Sequence, residues 1–236
     1  MRAQQNMPIR LVWWVFGALA LVHLAAQLVG ADAAADVTQW FLMPVLASVL
    51  WLSTAAPRSR LVVLTLVALG FSWLGDSAPD LADGDTAFLL MVGFFLLAQI
   101  TYIVAFAPYT TPTVLRRNRG VVVAYVAAVV LLVAACAPGA GVLLVPALVY
   151  GAALGVMAVL SAGVIRTAAI GGGLFLVSDG MIALGAFADW FTPPVEGFWV
   201  MATYIAAQVL IVLGVLAADG GHQRGASAPQ VRAGNG

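Results

Sequence analysis

Two aspartates, Asp76 and Asp179, stand inside stretches of sequence that otherwise hold mostly apolar residues. An ionisable side chain in membrane hydrocarbon costs at least a few kcal/mol, so each is a functional hypothesis by default. Two carboxyl groups brought together away from water can divide acid and base roles, one keeping its proton while the other stays ionised. Asp76 has Ser72 four residues earlier, on the same helical face. Asp179 follows Ser178 and the run Gly171, Gly172, Gly173, small residues that let another helix approach closely. At 1.5 Å per residue, Asp179 lies about 18 Å from the cytoplasmic end of its span and Asp76 about 8 Å below the outer surface. The two can therefore meet at one level in the outer half of the bilayer. Each also has a plainer reading: Asp76 as a solvated helix end before Pro79, Asp179 as a protonated carboxyl bonded to a neighbouring helix.

Other polar residues recur at helical spacing, His23 with Gln27, Gln99 with Tyr102, and Tyr204 with Gln208. They either line the same cavity or act as glue between helices. Trp13, Trp14, Trp40, Trp51, Trp190 and Trp199 fall near span ends and read as interfacial anchors. No serine has the histidine and acid partners of a hydrolase triad, and no glycine-rich phosphate loop is present. The chain has no lysine, which excludes a retinal Schiff base. Its single Cys136 excludes an internal disulfide and a multi-thiolate metal site. With only His23 and His222, a bis-histidyl haem is not expected either, and the residues imply no metal or other cofactor.

The elements that must position these residues follow from composition. The 236 residues are 63% hydrophobic and 8% charged, with a mean hydropathy of +1.05. A soluble domain carries roughly 25% charged residues, so this chain is expected to be an all-α polytopic membrane bundle. A span takes about 20 apolar residues. The apolar runs predict eight, near 9–29, 37–54, 61–77, 86–106, 120–137, 141–162, 167–187 and 197–217. Residues 1–219 form a single transmembrane domain on this reading, and 220–236, rich in Gly, Ala, Gln and Arg, a disordered tail. All ten basic residues are arginine, and all fall on alternate connections: Arg2 and Arg10, Arg58 and Arg60, Arg116, Arg117 and Arg119, Arg166, Arg224 and Arg232. The positive-inside rule then puts both ends in the cytoplasm of a multi-pass cell-membrane protein. The scattered arginines form no basic face, so no nucleic-acid partner is expected. An alternative makes the first span a signal peptide, but that run is long and contains His23 and Gln27.

From Thr38 to Gly214 the sequence resembles the YhhN-like lysoplasmalogenase family of polytopic membrane proteins. Phe71-Ser72-Trp73-Leu74-Gly75-Asp76 resembles the family's S-x-x-G-D, and Gly173-Leu174-Phe175-Leu176-Val177-Ser178-Asp179 its G-x-L-F-x-x-S-D. Thr203-Tyr204-Ile205-Ala206-Ala207-Gln208 resembles T-Y-x-x-A-Q, and Ala98-Gln99-Ile100-Thr101-Tyr102 resembles A-H-x-x-Y. Gln99 stands where the family usually has histidine, and Gln39 where a lysine commonly follows the threonine. Both replacements remove an ionisable group and leave the aspartates in place.

The resemblance implies hydrolysis of the vinyl ether of a lysoplasmalogen, releasing a fatty aldehyde and a glycerophospho-alcohol. A vinyl ether is cleaved by protonation of its β-carbon, giving an oxocarbenium ion that water captures. Asp179 is the expected acid, and Asp76 stabilises the cation or orients water, as paired carboxylates do in glycosidases. Ser72, Gln99, Tyr102, Ser178, Tyr204, Gln208, His23 and Gln39 are the expected substrate-binding residues, with a lysophospholipid or ether lipid and the membrane lipids as partners. Gln99 sits about 20 Å along its span, deeper than the aspartates, so it either meets the substrate's chain or lies outside the site. The competing functions are a transporter and a non-catalytic lysolipid-binding protein using the same cavity.

Overall fold

Glycines, prolines and short polar links cut the apolar chain into helices. The computed structural model describes residues 2–226, with side chains from 7 to 221, and among these residues it is helical with no strand. The helices are α1 (Arg2–Val29), α2 (Asp32–Ser53), α3 (Arg60–Ser77), α4 (Gly84–Phe106), the short α5 (Pro112–Arg117), α6 (Arg119–Ala140), α7 (Leu144–Val164), α8 (Arg166–Phe187) and α9 (Glu196–Ala226). Ser59 caps α3 by accepting the Val62 amide, and Thr111 caps α5 by accepting that of Val114.

Among the described residues, seven stretches are long and apolar enough to cross a membrane, one of them the 46 residues Arg119–Val164. As one helix that stretch would be about 69 Å long, more than twice the hydrocarbon thickness. It is instead two helices, α6 and α7, which pack against each other. The break falls at Gly141, whose φ of +47° is readily reached without a side chain. Between α7 and α8 the division is the single residue Ile165, in extended conformation just before Arg166.

Around the bundle the packing closes into a ring: α1 on α2, α2 on α3, α3 on α4, α4 on α7, α7 on α8, α8 on α9, and α9 back on α1. Helix α6 lies outside the ring against α7 and α8, and of its side chains only Cys136 and Ala140 are buried. Small residues make the closest approaches. A Cβ on Gly171 would lie 2.8 Å from the Ala207 carbonyl oxygen, and one on Gly214 would lie 2.8 Å from the Ala168 nitrogen, so α8 and α9 meet almost backbone to backbone. Gly172 presses in the same way on Ala158 and Ser161 of α7. The glycine run expected to admit a neighbour therefore admits three: α9 at Gly171, α7 at Gly172 and the Tyr125 ring of α6 at Gly173.

The last helix extends to Ala226, past the point where the tail was expected to begin at residue 220. The remaining tail residues, 227–236, lie outside those described.

Candidate functional site

Both aspartates line one cavity of about 420 Å³, walled by the ends of α2, α3, α4, α8 and α9. Its rim carries two more carboxylates, Asp80 just after α3 and Glu196 at the start of α9. The acidic connections Asp80–Asp85 and Asp189–Glu196 lie at this end, whereas the connections that carry Arg58, Arg116–Arg119 and Arg166 lie at the other ends of the same helices. Val195, which leads into α9, has a φ of +52°, a conformation strained for a β-branched residue, and it sets Glu196 and Gly197 at the rim.

Asp179 is 5% exposed and is held from two other helices. Gln99 Nε2 of α4 donates to its Oδ2 at 3.0 Å, and the Tyr150 hydroxyl of α7 donates to the same oxygen at 2.5 Å. Two donors on Oδ2 leave Oδ1 as the oxygen able to carry a proton. Counting along one helix had set Gln99 deeper than the aspartate. The contact shows that helices with offset ends bring different counts to one level. Gln99 Oε1 is buried with no hydrogen-bond partner among the described residues, so this amide serves Asp179 through one end only.

Asp76 is 6% exposed at the end of α3, and its Oδ2 accepts the Tyr204 hydroxyl of α9 at 2.8 Å. Rings on either side fix that tyrosine: Phe95 lies 5.6 Å from it and Phe175 5.8 Å, both edge-on. One turn further in, Gln208 Nε2 donates to Ser72 Oγ at 3.0 Å, and Gln208 Oε1 accepts the Tyr102 hydroxyl at 2.7 Å. The two rungs, Tyr204 to Asp76 and Gln208 to Ser72, join α3 and α9 four residues apart on each helix. Gly75 has its own reason: a Cβ there would lie 2.9 Å from the Phe95 ring, which packs directly over it.

The other expected residues are placed unevenly. Ser178, Gln39 and Tyr204 line the cavity. Ser178 Oγ donates to the Val200 carbonyl at 3.0 Å, and Gln39 Nε2 reaches the Asp76 backbone oxygen at 3.4 Å. Ser72, Tyr102 and Gln208 are fully buried beneath the cavity and do not line it. His23 stands apart, its Nδ1 3.1 Å from the Ala35 carbonyl oxygen and 2.9 Å from Thr38 Oγ1, tying α1 to α2. It does not line the cavity, and its hydrogen bonds make it a helix–helix contact. Gln27 does approach the rim, since a Cβ on Gly197 would run into its amide.

Sequence reasoning passed over Tyr150, Asp80 and Glu196. Tyr150 is the one tyrosine in α7, where Ser161 carries a second hydroxyl, and neither spacing nor motif singles it out. Asp80 and Glu196 fall in or beside polar connections, where a carboxylate needs no functional reason. Asp80 is instead fixed to α2, accepting the Trp40 indole N–H at 2.6 Å. Trp40 thus serves a rim carboxylate as well as an interface. No group of three His, Cys, Asp or Glu side chains suited to a metal ion forms among the described residues.

Compared with known proteins, residues 34–215 match the profile of the YhhN family, a range that holds every residue lining the cavity. No curated protein and no solved structure matches the chain.

Proposed function

The chain belongs to the YhhN family, and from that premise we propose that it is a cell-membrane hydrolase of the lysoplasmalogenase kind, cleaving the vinyl ether of single-chain ether lipids with Asp179 and Asp76 as acid and base. One observation carries the reading: two carboxyls on separate helices face one cavity, each fixed through Oδ2 by a tyrosine hydroxyl.

Asp179 acts as the acid. Its proton, on Oδ1, passes to the β-carbon of the vinyl ether, and the resulting oxocarbenium ion faces the carboxylate just formed. Asp76 accepts a proton from water as the water oxygen bonds to the cationic carbon, giving a hemiacetal. Collapse returns both protons: the hemiacetal hydroxyl gives its proton to Asp179, and Asp76 protonates the departing glyceryl oxygen. The products are a fatty aldehyde and a glycerophospho-alcohol, with both carboxyls back in their starting states. Gln99 and Tyr150 orient Asp179, Tyr204 orients Asp76, and Ser178 and Gln39 contribute to the cavity wall.

The test uses purified protein in detergent with three lysolipids of equal chain length, alkenyl, acyl and alkyl. Free aldehyde from the alkenyl lipid alone is the expected result. Absence of aldehyde from all three, with the lipids still bound, would replace this reading with a non-catalytic lysolipid binder.

A further inference from the structure

Asp179 borders a second space. A narrow apolar cleft of about 90 Å³ lies between α4, α6, α7 and α8. Met91, Phe95, Asp179 and Ile182 line both this cleft and the carboxylate cavity, so a single wall separates them. Apart from the Asp179 carboxyl, the Tyr150 hydroxyl and the Cys136 thiol, the side chains that line the cleft are apolar. From the level of Asp179 the lining extends to Phe187 along α8, and from Leu132 to Ala140 along α6, each a length of about 12 Å. Alanines keep it open where α6 faces α7, with Ala137 and Ala140 on one side and Ala147 on the other.

We propose that this cleft holds the hydrocarbon chain of a single-chain lysolipid while the head group occupies the carboxylate cavity, and that Ala137 and Ala147 set the chain length accepted. The proposal takes the lipid's identity from the hydrolase reading, and the cleft itself stands on geometry. An enol ether lies between a polar glycerol and an apolar chain, so a carboxyl acting on it belongs where a polar and an apolar space meet. Asp179 is the ionisable residue that lines both. A water-soluble substrate would gain nothing from the cleft, and a diacyl lipid would bring a second chain for which the narrow cleft has no room.

Photo-crosslinking of the full-length protein in lipid nanodiscs tests this directly. The probe is a single-chain saturated-ether lysolipid with a diazirine near the chain end, which has no vinyl ether to hydrolyse. Adducts are expected on the peptides of α6 and α7 between Cys136 and Leu148, lost with excess unlabelled lysolipid and retained with excess diacyl lipid. Adducts confined to other helices, or equal competition by diacyl lipid, would overturn the proposal.

Ala137→Phe and Ala147→Phe then test the chain-length role in turnover. Each should lower kcat/KM for a long-chain alkenyl substrate about tenfold relative to a short-chain one. A folded variant of each with an unchanged chain-length profile would overturn that part. The two readings fail separately. Crosslinks at α6 and α7 without aldehyde from any substrate would remove the hydrolase and leave the cleft, and aldehyde release with crosslinks elsewhere would do the reverse.

Discussion

The Tyr150 hydroxyl helps decide which oxygen of Asp179 can carry a proton. With Gln99 it occupies Oδ2, and a donor aimed at the carboxylate form stabilises the charge left after proton transfer. Removing it in Tyr150→Phe should lower kcat about 100-fold with little change in KM, measured as aldehyde release against substrate concentration. A comparable rise in KM would assign Tyr150 to substrate binding instead. Gln99 is the position where the family usually has histidine, and here an amide N–H does the holding. Gln99→Leu should cost activity in the same direction, whereas Gln99→His, which keeps a ring N–H, should retain more of it. Both aspartates, Ser178 and Tyr204 could be read from the sequence because a polar atom in an apolar span has few structural excuses. Tyr150 could not, because a tyrosine in a membrane helix is common and only the fold shows which carboxyl it reaches.

At the scale of elements, α3 and α9 hold the cavity floor through the two rungs ending at Asp76 and Ser72. Gln208→Leu would leave both the Tyr102 hydroxyl and Ser72 without their partner, in a region closed to water. Interhelical hydrogen bonds within membranes average well under the cost of an orphaned polar group in a soluble core. A loss of about 1 to 2 kcal/mol is expected, read as a lower melting midpoint of the detergent-solubilised protein. The interface of α8 with α9 should be less forgiving. Gly171→Leu places a branched side chain where even a Cβ lies 2.8 Å from the Ala207 carbonyl oxygen. Because that contact is with backbone, the helices must part, and the variant should lose its monodisperse peak in size-exclusion chromatography. Helix existence was legible from apolar runs, since α3, α4 and α8 begin and end within two residues of the expected spans. What lay beyond the sequence was adjacency: nothing in the order of the helices says that α4 packs on α7, or that α6 stands outside the ring.

Over the whole molecule, the arginine-bearing connections lie at one end of the bundle and the carboxylate cavity at the other. The positive-inside rule then predicts an outward-facing cavity with both termini in the cytoplasm. Reporter fusions at the two termini should be active only for a cytoplasmic reporter, while a fusion in the Asp80–Asp85 connection should be active only for an external one. Opposite results for the two termini would mean an odd number of crossings. The charge asymmetry was open to reading in the sequence because arginines are costly to move across a bilayer. The joining of the two carboxylates was not, since it depends on α3, α8 and α9 closing around one cavity. That joining is the central claim, and the most direct measurement is the rate of aldehyde release from an alkenyl lysolipid by purified Asp179→Asn and Asp76→Asn. Loss of about 100-fold or more in each, in variants that elute as the native protein does, is the predicted result. Native rates in both would contradict it.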